Sequence, residues 1–129
     1  MPLVPNTNLI LKAYNLAKES KGCGPNGVFK VGAILFNRNR IIKAKTNVLK
    51  THPILSSFTS WPFLHAETNC LISHGLDNCK GLSLLVVRTN KKGTKLNMAK
   101  PCYVCEQLIY NSGIKHTFYS DWNGEVKCL

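Results

Sequence analysis

At 129 residues the chain is the size of one ordinary domain, so a single unit spanning 1–129 with one core is expected and little room remains for a second. Hydrophobic residues make up 44% of it, yet no apolar run approaches the roughly 20 residues that cross a bilayer, which argues against a helical membrane span or a membrane partner. Seventeen Lys and Arg against six Asp and Glu give a formal charge of +11, which favours anionic substrates or polyanions over acidic partners.

In chain order, Met1 to Leu11 lacks a basic region followed by an apolar stretch and a small-residue cleavage site, so the cytosol is the expected compartment. Asn8 to Ser20 brings Leu9, Ala13, Leu16 and Ala17 together at helical spacing before Gly22, Gly24, Pro25 and Gly27 break the pattern, predicting a first amphipathic helix. Val28 to Phe36 is rich in Val, Ile and Phe, Asn37 to Asn39 can turn, and Arg40 to Thr46 resumes with Ile41, Ile42 and Ala44, which reads as a hairpin. Asn47 to Pro62, polar and holding two prolines, reads as a long surface loop. His65 to His74 returns to helical spacing and stops at Gly75.

Leu82 to Thr89 is a continuous apolar run too short for most helices, so a buried strand is expected. Pro101 suits the first turn of a third helix that Gly113 ends. His116 to Ser120 reads as a strand, Asp121 to Gly124 as a turn, and Glu125 to Cys128 as a last short strand. The order is α, β, β, α, β, α, β, β.

Six cysteines without an export signal are read as thiols or metal ligands rather than disulfides. Two stand as Pro-Cys-x-x-Cys at Pro101 to Cys105, a spacing shared by redox pairs, zinc knuckles and buried thiols. His65-Ala66-Glu67 alone reads as an ordinary helix start with a carboxylate near the positive end of the dipole. Together they say more. A catalytic zinc site needs three protein ligands and an open position for water, and His65, Cys102 and Cys105 match that in number and kind. Cys102 and Cys105, three residues apart at a helix start, are placed where the dipole favours thiolates, and Glu67, off the metal, could carry protons. A closed structural site would need a fourth ligand, for which His116 and Cys128 are the candidates.

These residues resemble the cytidine deaminase-like superfamily, whose signature of His-x-Glu followed by Pro-Cys-x-x-Cys stands here as HAE and KPCYVC. KVGAILFN looks like the first core strand of that family, and the element order extends the resemblance over nearly the whole chain. The resemblance implies Zn2+ held by His65, Cys102 and Cys105, proton transfer by Glu67, contact of the base with the Ala66 backbone, and a sugar contact from Asn47. It also implies hydrolytic deamination of a nucleobase in a nucleoside or nucleotide, and assembly as a homo-oligomer. KTHP at Lys50 to Pro53 is similar to viral and phage members, for which the compartment would be the host cytoplasm.

A histidine first ligand is similar to the deoxycytidylate, tRNA-adenosine and polynucleotide branches. The short Ser120 to Glu125 connection predicts antiparallel last strands, as in the free-cytidine branch. His52 in the long loop is a candidate for a phosphate contact, and Tyr119 or Trp122 for an aromatic beside the base. The expected fold is thus a three-layer α/β/α domain with a central mixed five-stranded sheet. Deoxycytidylate is the leading substrate. Single-stranded DNA or RNA, with Trp61 or Trp122 stacking on bases, is the second reading, since +11 exceeds what one mononucleotide requires. A zinc-stabilised nucleic-acid-binding module without catalysis is the third.

Overall fold

The computed structural model describes residues 4–23, 27–48 and 65–129. Helix α1 (Thr7–Glu19) begins where the Asn6 side chain accepts the Leu9 N–H at 2.8 Å, satisfying one of the donors a helix start leaves unpaired. Its buried residues Leu9, Ala13 and Ala17 recur every fourth position and form one apolar stripe.

Strands β1 (Lys30–Asn37) and β2 (Arg40–Thr46) pair antiparallel through a turn at Arg38 and Asn39, both at positive φ (52° and 65°). Such turns match the twist of the flanking strands, and asparagine tolerates this backbone region better than most residues. The Asn39 side chain also accepts the Asn6 N–H at 2.9 Å, tying the hairpin to the start of α1.

Then follow α2 (Ala66–His74), β3 (Ser83–Thr89), the two-residue β4 (Leu96–Asn97), α3 (Tyr103–Asn111), β5 (His116–Ser120) and β6 (Val126–Cys128). Five strands lie side by side in the order β2-β1-β3-β5-β6, and β4 pairs with β3. β3 and β5 are parallel and the other pairs antiparallel, so the sheet is mixed and its last two strands antiparallel, as expected.

Alternation along the strands divides the core. Ala33, Leu35, Leu84 and Val86 face α2 and α3, packing with Ala66, Cys70, Leu71 and Ile109. Ile34, Phe36, Leu85, Val87 and Phe118 face α1 and its Leu9, Ala13 and Ala17 stripe. These are the three layers. Gly32 sets how closely α1 can lie, because a Cβ there would sit 2.9 Å from both Ala13 O and Ala17 N.

Two expectations need correction. β4 has no counterpart in the sequence reading, since two residues show no periodicity. The third helix starts at Tyr103 rather than around Pro101: Cys102 is extended (φ −71°, ψ 170°) and serves as the N-cap. Among the described residues no helix is long and apolar enough to cross a membrane.

Candidate active site

The N-terminal ends of α2 and α3 meet. His65 and Cys102 are the N-cap residues of these helices, and neither side chain caps its own helix. They point elsewhere. One ring nitrogen of His65 and the Sγ atoms of Cys102 and Cys105 form a group of three ligand atoms that lie within 4.8 Å of one another. Cys105 Sγ is 3.2 Å from His65 Nδ1. A tetrahedral zinc with Zn–S near 2.3 Å and Zn–N near 2.0 Å holds its ligand atoms about 3.5 Å apart, so small side-chain adjustments close the set on an ion.

The electrostatics of the pair suit a cation. A hydrogen bond from the Cys105 thiol pulls the Cys102 thiol down to about 4, with help from His65 and against the opposing effect of burial. Cys105 is pushed up, first by sharing that proton with Cys102 and then by burial. The proton is thus held more firmly by Cys105, and Cys102 gives up its own more readily. A divalent ion would displace the proton and take both as thiolates.

Glu67, in the first turn of α2, is 5% exposed, and burial raises its carboxyl above the usual range, with the positive influence of His65 opposing the shift. It is outside the three-residue metal group yet lines the same cavity of about 220 Å3 as His65, Ala66 and Cys102. A carboxyl beside a group that holds three ligand atoms among the described residues is the arrangement general acid–base chemistry needs. His116, in β5, and Cys128, exposed in β6, do not belong to the metal group, so neither supplies the fourth ligand of a closed structural site.

The cavity wall includes Asn47, at the end of β2. Its Oδ1 accepts from Ser20 Oγ at 2.6 Å and Val31 N at 3.1 Å, and its Nδ2 donates to Phe29 O at 2.6 Å. Asn47 thus clamps the chain before β1 while standing at the cavity. Tyr119 lies in β5, packed against the core under α2 and α3, and is not among the described residues lining the cavity. Trp122 is 63% exposed in the turn after β5. His52 and Trp61 lie outside the described residues.

Several residues escaped the sequence reading. Ser120, fully buried, receives the Arg88 N–H at 3.2 Å and donates to Asn97 O at 2.7 Å, while its carbonyl accepts the Ala99 N–H at 2.8 Å. These bonds fasten the segment leading to Cys102 onto the sheet. Asn69 does the same for α2, donating to Thr46 O at 2.8 Å. Arg88, Phe29 and Met98 line the cavity as well. Nothing local in the sequence marks these residues, because each acts on a partner remote in the chain.

A family model described as the cytidine and deoxycytidylate deaminase zinc-binding region matches residues 5–121. No curated protein sequence matches significantly. Among solved structures, the chain is similar to a cytidine deaminase from Burkholderia pseudomallei, with a TM-score of 0.63, 21% identity, and coverage of 96% of this chain and 91% of that one. It is also similar to a dCMP deaminase from the cyanophage S-TIM5 in complex with dCMP and dUMP, with a TM-score of 0.60, 22% identity, and coverage of 89% and 79%. At these identities the likeness is one of fold.

Proposed function

Because this chain belongs to the cytidine and deoxycytidylate deaminase zinc-binding family, we propose that its specific activity is conversion of the cytosine base of a nucleotide to uracil, with deoxycytidylate as preferred substrate. The observation that carries this reading is that the His65, Cys102 and Cys105 group stands at a cavity lined by His65, Cys102 and the buried carboxyl of Glu67. Residues 1–129 act as one domain in this reading.

Zinc, when bound by His65, Cys102 and Cys105, supplies a water acidified enough to act as nucleophile near neutral pH. Hydrolysis at the amino-bearing ring carbon also requires one proton at the adjacent ring nitrogen and one on the departing amine. Glu67 carries both: it accepts a proton from water, delivers it to the ring nitrogen, then takes the second and passes it to the amine, which leaves as ammonia. Its raised pKa brings donor and acceptor strengths closer together, which favours transfer in both directions. The Ala66 backbone at the start of α2 contacts the base, and Asn47 holds the sugar edge.

The test offers zinc-loaded protein deoxycytidylate, deoxycytidine, cytidine, adenosine, and single-stranded DNA and RNA side by side, reading ammonia and product mass. Deoxyuridylate as the main product is expected. Conversion of no compound, with zinc bound, would overturn the reading in favour of a binding module.

The charge of +11 favours a second reading, a single-stranded nucleic acid as substrate. Conversion only within a strand, with binding that weakens steeply with salt as counterions are released, would establish it over the mononucleotide.

A further inference from the structure

We propose that Arg88, assisted by Lys100, forms an anion subsite in the cavity that takes the phosphate of the substrate and thereby selects nucleotide over nucleoside. The subsite rests on the cytosine-deamination reading for its substrate but on independent observations for its chemistry.

Arg88 stands near the end of β3, opposite Val31 of β1, in phase with Leu84 and Val86 and so on the face that α2 and α3 cover. Both Arg88 and Lys100 line the cavity that also holds His65, Glu67 and Cys102. The guanidinium lies over the Phe29 ring, 4.7 Å from its centroid, which fixes the plane of the group. Its Nε is buried and has no hydrogen-bond partner among the described residues. A buried donor left unpaired is costly, although the side chain as a whole is half-buried.

No carboxylate of the protein offsets that cost. All six acidic side chains and the C-terminus lie among the described residues, and the ion pairs found there belong to Lys127, with Asp121 and Glu125. Residues 1–3, 24–26 and 49–64 contain no Asp or Glu. Burial accordingly lowers the Arg88 pKa from its usual value, with no anion opposing the shift. An incoming phosphate would supply the missing acceptor, and the planar fork of arginine suits phosphate oxygens. Lys100, exposed at the same cavity, adds a second, adjustable positive charge.

The experiment compares zinc-loaded wild type with Arg88→Gln and Arg88→Lys. The reading is the ratio of kcat/KM for deoxycytidylate to kcat/KM for deoxycytidine. That ratio should fall about 10- to 100-fold in Arg88→Gln, the range of one or two charge-assisted hydrogen bonds, and less in Arg88→Lys. A purely structural role would lower both substrates together, and a ratio unchanged within about twofold would overturn the proposal.

Calorimetric titration with inorganic phosphate separates this proposal from the function. If no cytosine substrate is turned over, the functional reading fails; phosphate binding to wild type that is lost in Arg88→Gln would still support the subsite. Absent binding, or equal binding to both proteins, would sink it.

Discussion

His65 Nδ1 and Cys105 Sγ lie 3.2 Å apart although forty positions separate them in the chain. Only the packing of two helix starts against one sheet brings them together, so metal affinity and fold should be linked. Replacing His65 or Cys105 by Ala should cut bound zinc from about one ion per chain to a small fraction, measured by elemental analysis after dialysis. Chelation of the wild type should lower Tm by several degrees, because the ion binds the folded state preferentially. Full zinc content in Cys105→Ala would remove that residue from the ligand set.

Glu67→Gln keeps the shape of a side chain that is 5% exposed while removing its ability to exchange protons. Zinc content should stay at the wild-type level, and kcat should fall by about 10^2- to 10^4-fold, the usual contribution of general acid–base catalysis. Turnover within a few-fold of wild type would assign proton transfer elsewhere.

Gly32 packs under the backbone of α1, where an added Cβ would meet Ala13 O and Ala17 N at 2.9 Å. Neither atom is the flexible end of a side chain, so helix and strand must separate. Gly32→Ala should destabilise by about 1–3 kcal/mol in urea unfolding, as overpacked sites do, and Gly32→Val by more. The metal group is built on the opposite face of the sheet, so zinc per folded chain should be unchanged. An unchanged unfolding midpoint would show that α1 adjusts freely.

Burial pushes the Cys70 thiol from 9.0 up to about 12, and its Sγ lies 3.4 Å from Lys43 O. Unfolded, the thiol ionises near its ordinary value; folded, it keeps its proton to higher pH. Between these values the native state holds more protons, so stability falls as pH rises through that window and the effect vanishes below it. Cys70→Ala should be less stable than wild type at pH 7 from lost packing, yet its Tm should decline less steeply between pH 9 and about 12. Parallel curves would contradict this.

Residues that act through local spacing were legible from the chain. The Leu9, Ala13 and Ala17 stripe, the apolar run of β3 and the stop at Gly75 each reflect a period or backbone preference contained within a few residues. The HAE and PCxxC segments could be paired because each carries donor types that zinc chemistry requires, whatever lies between them. The short Ser120 to Glu125 connection left room only for a turn, which made β5 and β6 antiparallel.

Tertiary structure decided what depends on distance across the sheet. Asn47, expected by resemblance to touch the sugar, also ties Ser20, Phe29 and Val31 together beside the cavity, which no local pattern shows. Tyr119 is set beside Val86 of β3, on the face that α2 and α3 cover and packed against the core there, by the register of β5. Ser120 fastens the Cys102 segment, and Arg88 becomes a half-buried cation over Phe29, its Nε buried, without a carboxylate. The ligand types, the helix and strand periods and the positive charge are legible along the chain, since these are properties of single residues and their near neighbours. Which side chains share a cavity and which cation is left in need of an anion follow only from strand order and register, which bring remote residues within a few ångströms.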